Sequence, residues 1–237
     1  MIAQVQAEVV QGPLEHERYG KTLVIRPTVE TIRAHRFPSQ AVVITVLARK
    51  LIELSREGEK IHALVVEAGD ADPTCHPEFH EISENIRELQ NKHFPKAKLY
   101  LVSDLPQLEL AQTRHALSFY DHPMVRLEAG TQKTFCQLTG EDAQVFKDVV
   151  EQLPRLGNDR LIVQASFVRG DVDNSKDTEV RAWIRHLSSI KPAGVHITTP
   201  AKPPSKGPKI KPITKTRITE IAELVQTKTG IPVEVVA

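Results

Sequence analysis

Short apolar stretches typical of β-strands alternate with amphipathic helical patterns along most of this 237-residue chain. The predicted strands are Lys21–Ile25, Ala63–Glu67, Leu99–Ser103, Val125–Glu128, Leu161–Val168, Val195–Thr198 and a short final strand, Val233–Val235. The predicted helices are Ser39–Ser55, Pro77–His93, Leu108–Phe119, Gln132–Leu138, Asp142–Leu153, a helix capped near Asn174 or Ser175 that ends at Ile190, and Ile213–Lys228. This alternation indicates parallel βαβ units. The sequence therefore predicts an α/β protein with ligands bound beyond the carboxyl ends of its strands.

The composition is that of one domain of barrel size. A chain of 237 residues that is 40% hydrophobic can bury one large core. Residues 1–20 show little periodicity and are interpreted as an N-terminal segment, and residues 21–237 as the barrel. Residues 200–212 hold five prolines and four lysines, which predicts an irregular, extended connection.

Charge and cysteine content argue against several kinds of partner. The formal net charge of +1 gives no general attraction to nucleic acid or to an anionic membrane. The lysines of residues 200–212 have no aromatic residues between them to stack on bases. No apolar stretch is long enough to span a bilayer, and two cysteines without a secretory signal favour the cytoplasm. We therefore expect a small-molecule ligand or a protein partner.

One loop and the helix after it resemble a known family. The segment Gly69-Asp70-Ala71-Asp72-Pro73-Thr74, followed by His76-Pro77-Glu78-Phe79, is similar to the loop after the second strand of the radical S-adenosylmethionine (radical SAM) superfamily. The resemblance runs from about Gly12 to the C-terminus and includes Leu101–Asp104, Arg126–Gly130, Phe167–Gly170 with Asp173-Asn174, and Gly230–Val233. It implies an α/β fold of one domain, a TIM-like partial (β/α)6 barrel of radical SAM type.

The resemblance also implies where a cofactor would bind. In that family the loop after the second strand holds the amino group of S-adenosylmethionine, and the loop after the third strand contacts its ribose. The residues implied here are Gly69, Asp70, Ala71, Asp72, Ser103 and Asp104, and Arg126, Glu128, Gln164 and Arg169 from the later strands are further candidates for cofactor binding. S-adenosylmethionine or a related nucleoside is therefore the ligand that the resemblance favours. Asp72 stands where the family often has a glutamate, which is one methylene longer.

The chain departs from the family at the iron–sulfur centre. Family members hold a [4Fe–4S] cluster with three cysteines, usually spaced Cys-x3-Cys-x2-Cys, after the first strand. The corresponding segment, Arg26–Pro38, has no cysteine, and the whole chain has only Cys75 and Cys136. Two thiolates cannot supply the three that the cluster needs. We therefore expect no [4Fe–4S] cluster and no radical SAM activity.

The later strands are expected to place polar side chains on one face. Period-two alternation puts Arg126 with Glu128, Gln164 with Ser166, and His196 with Thr198 on faces opposite the apolar residues. The apolar face must meet the helices, so the polar face is expected to line an open cavity. An unpaired charge there would cost several kcal/mol, so Arg126 and Glu128 must meet each other, a neighbour or a ligand.

A metal site is not predicted. Asp70, Asp72, Cys75, His76 and His80 lie close together in the sequence, and the two histidines are four residues apart. A turn in which the Asp side chains bind nearby backbone N–H groups explains the same residues without a metal. Cys75 near a helix start would be the more reactive thiol, and Cys136 is expected in the core.

Three functional hypotheses follow. The first is a degenerate radical SAM-like protein that is not catalytic and serves as a small-molecule-binding or interaction scaffold. The second is an enzyme of another class, in which Glu128, His196 and Glu67 carry out acid–base chemistry on an anionic small molecule oriented by Arg126 or Arg169. The third is a partner subunit of an active radical SAM enzyme, which would show an exposed apolar patch.

Overall fold

The computed structural model describes residues 9–29, 37–157, 159–200 and 208–236. The chain divides into two compact units, Met1–Pro123 and Met124–Ala237. Each unit has its own parallel strands and its own buried apolar residues.

The first unit alternates strands with helices. Its elements are β1 (Val10–His16), β2 (Gly20–Ile25), α1 (Gln40–Arg56), β3 (Ala63–Val66), α2 (Phe79–His93), β4 (Lys98–Ser103), α3 (Ala111–Ala116) and the start of β5 (His122–Arg126). Strand β1 pairs antiparallel with β2, and β2, β3 and β4 are neighbouring parallel strands. All four residues of β3 are buried, which makes it the central strand of this unit.

The second unit repeats the pattern. After β5 its elements are α4 (Gln132–Thr139), α5 (Ala143–Gln152), β6 (Ile162–Ser166), β7 (Val168–Gly170), α6 (Asp177–Ile190), β8 (Gly194–Thr198), β9 (Ile210–Pro212), α7 (Lys215–Thr229) and β10 (Val233–Val235). Strands β5, β6, β8 and β10 are parallel neighbours in that order. Strands β7 and β9 form a separate antiparallel pair.

Helix α1 shows how the sequence pattern determines packing. Apolar residues at spacings of three and four form one stripe, and the buried members are Val43, Val46, Leu47, Leu51 and Leu54. Ser39 is the N-cap, as predicted, although its side chain makes no capping hydrogen bond. The backbone carbonyl of Ser39 instead accepts from the amides of Val42 and Val43. The predicted α/β alternation is confirmed.

Strand β1 lies within the segment of residues 1–20, to which the sequence assigned no element. Gly12 and Pro13 interrupt its alternation and are typical turn residues. The strand nevertheless pairs with β2, because its register shifts between Gln11 and Leu14 and so accommodates them.

Several element boundaries differ from the prediction. Helix α2 begins at Phe79 rather than Pro77, because a 3₁₀ turn at Pro73–Cys75 comes first. Helix α3 is shorter than predicted and ends in a 3₁₀ turn at Leu117–Phe119. The predicted strand Val125–Glu128 is shifted to His122–Arg126.

Three differences concern the second unit. The predicted strand Leu161–Val168 is divided between β6 and β7. Helix α6 has Lys176 as its N-cap, so the predicted cap at Asn174 or Ser175 was wrong. Of the predicted irregular connection 200–212, Ile210–Pro212 forms β9, and residues 201–207 lie outside the described part of the chain.

Candidate functional site

The loop after β3 is held by one buried threonine. Thr28, in the loop after β2, is fully buried. Its hydroxyl donates to the carbonyl oxygen of Ala71 at 2.5 Å and accepts the amide N–H of Gly69 at 3.1 Å. The amide of Asp70 donates to the Thr28 carbonyl oxygen at 3.1 Å. Polar backbone groups of Gly69, Asp70 and Ala71 are therefore engaged within the protein.

The close approach of the two loops requires a glycine. A Cβ added at Gly69 would lie 2.7 Å from the amide nitrogen of Val29 and 2.8 Å from the carbonyl carbon of Thr28. Distances this short to backbone atoms cannot be relieved by turning a side chain. Gly69 thus allows the loop after β3 to pack directly on the loop after β2.

Asp72 joins the loop after β3 to the end of β4. Its Oδ1 accepts from the amide and hydroxyl of Thr74 at 2.9 and 2.6 Å. The hydroxyl of Ser103 donates to both carboxylate oxygens at 2.9 Å, and the amide of Asp104 donates to Oδ2 at 2.8 Å. Both oxygens of Asp72 are thus used inside the protein, and Ser103 is fully buried.

Glu67, the last candidate in the first unit, is paired with Arg26. The Nε and Nη2 atoms of Arg26 lie 3.0 and 2.5 Å from Oε1 of Glu67. The two residues directly follow the parallel strands β2 and β3, which explains why they meet. The Glu67 carboxylate is therefore engaged in an ion pair with Arg26.

The second unit aligns four polar residues across its strands. Arg126 on β5 is in register with Gln164 on β6, and Gln164 with His196 on β8. His196 is in register with Glu234 on β10, and their Nε2 and Oε2 atoms are 3.6 Å apart. We call Arg126, Gln164, His196 and Glu234 the polar row. Arg126 and Gln164 are half-buried, His196 is buried, and the side chain of Glu234 is 53% exposed.

Glu128 follows the end of β5 and contacts the end of β6. Its Oε2 accepts from the amide of Ser166 at 2.7 Å. The buried side chain of Asn174 donates to the carbonyl oxygens of Glu128 and Ser166 and accepts from the amide of Val168. Asn174 therefore fixes the ends of both strands, and the position of Glu128 with them.

Arg169 lies on a strand that does not pair with the strands of the polar row. It is exposed on β7, where Nε donates to the carbonyl oxygen of Pro212 at 3.2 Å. Its strand pairs with β9 rather than with β6 or β8. The structure thus brings together Arg126, Gln164 and His196 among the predicted residues of the second unit, and leaves Arg169 on the other sheet.

His76 has a structural environment. Its Nδ1 accepts the amide N–H of Glu78 at 3.0 Å, and its Nε2 lies 2.8 Å from the carbonyl oxygen of Pro38. Both nitrogens of this buried ring are therefore occupied, with Nε2 as the donor. Within the ranges that the structure describes, no three His, Cys, Asp or Glu side chains are grouped to hold a metal ion.

The structure is similar to three solved structures. A domain of pyruvate-formate lyase-activating enzyme from Bacteroides vulgatus matches with a TM-score of 0.55 and 10% identity, over 74% of this chain and 99% of that one. SuiB from Streptococcus suis matches with a TM-score of 0.63 and 13% identity, over 90% of this chain and 49% of SuiB. The fold is of the radical SAM type. SuiB bound to its precursor peptide SuiA matches similarly, at a TM-score of 0.64 and 11% identity, over 90% and 48%.

The comparison confirms the radical SAM-type partial barrel that the resemblance implied. At these identities the likeness shows the fold and nothing about activity, and the chain spans about half the length of SuiB. No protein-family model and no curated protein matches the chain. Among the described helices, none has the length and apolar character needed to cross a bilayer.

The radical SAM-type fold permits a test of whether the usual groups fit. Two cysteines cannot supply the three thiolates of a [4Fe–4S] cluster, so the chain's own residues do not fit that group. In the loop that the resemblance assigns to the amino group of S-adenosylmethionine, the Ala71 carbonyl oxygen accepts a hydrogen bond from Thr28 and the Gly69 amide donates one to it.

Sequence reasoning missed Thr28 and Glu179, and it gave Asn174 the role of a helix cap. Thr28, Asn174 and Glu179 are all buried polar residues. Glu179 accepts from the amides of Gly130 and Thr131 and from two hydroxyls at the start of α4. The contacts of Thr28 and Glu179 join residues 41 to 49 positions apart, and those of Asn174 join the ends of two strands. Only the tertiary structure shows such contacts.

Proposed function

We propose that this chain uses a radical SAM-type fold without iron–sulfur chemistry, as a non-catalytic scaffold that binds a small molecule carrying a carboxylate or phosphate group. The observation that carries the proposal is the polar row, with Arg126, Gln164 and His196 in register on three neighbouring parallel strands. Such a row combines a cation, an amide and an imidazole on one stretch of rigid sheet.

The chemistry of the row favours a carboxylate or phosphate. The planar guanidinium of Arg126 can form two parallel hydrogen bonds with such a group. Gln164 offers both a donor and an acceptor beside it, which suits a sugar hydroxyl or an amide. Glu234 at the end of the row adds a negative charge that suits an amino group. A ligand with separated negative and positive groups therefore matches the row best.

The contacts within the first unit support the same proposal independently. The loop that would hold the amino group of S-adenosylmethionine is bonded to Thr28, and Asp72 is bonded to Thr74 and Ser103. These contacts give the loop a stable structure without a cofactor. S-adenosylmethionine and its nucleoside products remain the first ligands to test, because the fold is of the radical SAM type.

A thermal-shift titration followed by calorimetry tests the proposal. The ligands are S-adenosylmethionine, S-adenosylhomocysteine and methylthioadenosine, with simple dicarboxylates and nucleoside phosphates as the anionic series. We expect one class of ligand to stabilise the protein saturably. The dissociation constant of that ligand should rise at least about tenfold in Arg126→Gln, because one charged hydrogen-bonding partner is lost. Arg169→Gln is the matched control, since Arg169 lies on the separate β7–β9 sheet. Binding that is unaffected by Arg126→Gln, or no saturable binding by any of these classes, would contradict the proposal.

One observation favours the acid–base alternative as a second candidate. The buried His196 has its Nε2 atom 3.6 Å from Oε2 of Glu234, which places a candidate acid–base group beside a carboxylate. Glu67, the residue of this alternative that lies in the first unit, is instead paired with Arg26. The measurement is product formation from any bound ligand, detected by mass spectrometry, in the wild type and in His196→Gln. Turnover that disappears in His196→Gln would favour the enzyme, and an unchanged ligand would favour the scaffold.

A further inference from the structure

Two histidines that are far apart in the sequence meet on the surface of the first unit. Nε2 of His80 on α2 lies 2.7 Å from Nδ1 of His115 on α3. The two rings are nearly parallel, with an interplanar angle of 19° and a centroid separation of 5.0 Å. Because the residues are 35 positions apart, their pairing depends on the packing of the two helices.

A phenylalanine holds both rings in place. The ring of Phe119 meets His80 edge-on at a centroid distance of 5.4 Å and an angle of 69°. It meets His115 in the same way at 5.5 Å and 70°. The hydroxyl of Ser118 donates to the His115 carbonyl oxygen at 2.7 Å, which also fixes the turn that carries Phe119. The two imidazoles are therefore positioned before any ligand arrives.

We propose that His80 and His115 form a two-histidine site for a borderline divalent cation such as Zn²⁺. Imidazole nitrogen is a preferred ligand of zinc, nickel and copper. A tetrahedral Zn²⁺ with Zn–N distances of about 2.0–2.1 Å separates two ligand nitrogens by about 3.3 Å. The observed 2.7 Å needs to widen by only roughly half an ångström, a small shift that the exposed side of the His115 ring leaves room for.

Water molecules complete the coordination. The described residues hold no preassembled group of three metal-binding side chains, so two protein ligands define the site. A site with open positions binds less tightly than a closed structural site and exchanges its metal readily. The hard cation Mg²⁺ prefers oxygen ligands and is not expected to bind here. The site is separate from the polar row and does not depend on the proposed scaffold function.

Calorimetric titration of the full chain with Zn²⁺ tests the site. We expect saturable binding of one Zn²⁺ per chain and no response to Mg²⁺. His80→Gln and His115→Gln are each expected to weaken Zn²⁺ binding by at least about tenfold, since losing even an outer partner of a metal ligand costs about 10–100-fold. His93→Gln, on the last turn of α2, is the matched control and is expected to bind as the wild type does.

Thermal melting without metal shows whether each variant is folded. The exposed His115 provides the variant least able to disturb the fold, so the result does not depend on His80→Gln alone. Zn²⁺ binding that is unchanged in the double variant His80→Gln/His115→Gln would overturn the proposal. The absence of saturable Zn²⁺ binding by the wild type would overturn it equally.

Discussion

Thr28 shows how a single hydroxyl can organise two loops of the first unit. It is fully buried, donates to the Ala71 carbonyl oxygen and accepts the Gly69 amide. A buried backbone group without a partner costs far more than a satisfied one contributes. The shape of the loop after β3 therefore depends on a residue that is not in that loop.

Replacing this hydroxyl by a methyl group isolates its contribution. Thr28→Val keeps the shape of the side chain but leaves the Gly69 N–H and the Ala71 carbonyl without their partner. We expect the free energy of unfolding, measured by urea denaturation, to fall by about 2 kcal/mol. Thr28→Ser keeps the hydroxyl and loses one methyl group, so its loss should be about 1 kcal/mol or less. If Thr28→Ser were the more damaging change, the methyl packing would matter more than the hydrogen bonds.

Asp121 gives the first unit a pH-dependent contact. Burial raises the pKa of this carboxyl, but the hydrogen bond from the Leu99 amide and the nearby Arg87 guanidinium outweigh it, so the pKa is lower than usual. Nη2 of Arg87 lies 3.1 Å from Oδ2 of Asp121, and the Leu99 amide lies 2.8 Å from the same oxygen. The charged form of Asp121 therefore stabilises the folded state.

The sign of the pH effect follows from this lowered pKa. The stabilisation is complete above the unfolded-state value of about 3.9 and is lost as the pH falls through the lower folded-state pKa. We expect Asp121→Asn to reduce the free energy of unfolding at about pH 6 and to matter progressively less below about pH 4. Asp159→Asn serves as the control, since the Asp159 side chain is 94% exposed. An Asp121→Asn effect that is the same at every pH would show that geometry rather than charge is responsible.

At the scale of elements, Glu179 and Gly130 join two helices of the second unit. The carboxylate of Glu179, on α6, accepts from the Gly130 and Thr131 amides just before α4. It also accepts from the hydroxyls of Thr131 and Thr134 at 2.7 and 2.8 Å. Glu179 thus binds the N–H groups just before α4 from another helix, while the Thr131 hydroxyl caps the Thr134 N–H.

Gly130 allows α6 to approach this cap. A Cβ at Gly130 would lie 2.2 Å from the carbonyl oxygen of Glu179 and 2.5 Å from the amide nitrogen of Trp183, both backbone atoms of α6. Gly130→Ala must push α6 away, and we expect the free energy of unfolding to fall by about 1–3 kcal/mol. At Gly194 the nearest atom would be the Pro232 carbonyl oxygen at 3.8 Å, so Gly194→Ala should change stability by less than about 0.5 kcal/mol. Equal effects of the two variants in thermal melting would contradict this account.

Element types were predictable where packing agrees with the local pattern. Helix α1 has an unbroken apolar stripe, and β3 is a run of four buried apolar residues, so both were located correctly. Strand β1 was missed because Gly12 and Pro13 break the alternation along it. The segment forms a strand because it pairs with β2, which the local sequence does not show. The start of α6 was misplaced because Asn174 uses its side chain on strand ends rather than as a cap.

At the scale of the whole molecule, the sequence predicted several residues of the candidate sites but not the contacts that bring them together. Alternation within single strands placed Arg126, Gln164 and His196 on polar faces, but the row exists because the register of β5, β6 and β8 aligns them. The sequence indicated the loop at Gly69–Asp72 but not Thr28, which is 41 residues from Gly69. Local patterns report the direction of a side chain, and contacts between distant segments need the tertiary structure.

The cysteine content leads to a prediction for the chain as a whole. A [4Fe–4S] cluster of the family type needs three thiolates, and this chain has Cys75 and Cys136. The two lie in different elements, at the 3₁₀ turn Pro73–Cys75 and in α4. We therefore expect anaerobic reconstitution with iron and sulfide to leave only loosely bound iron, without the visible absorbance of a stoichiometric cluster. After reduction, no paramagnetic resonance signal of such a cluster should appear.

The double variant Cys75→Ser/Cys136→Ser provides the control for this reconstitution. If the remaining iron is adventitious, the wild type and the double variant should retain the same small amount after desalting. A cluster bound by the wild type in stoichiometric amount and lost in the double variant would show that the two thiolates recruit further ligands from other side chains or a second chain. That result would overturn the proposal of a scaffold without iron–sulfur chemistry. The contacts of Thr28 and Asp72 stabilise their loop without a cluster, so a bound cluster would indicate redox chemistry rather than a structural role.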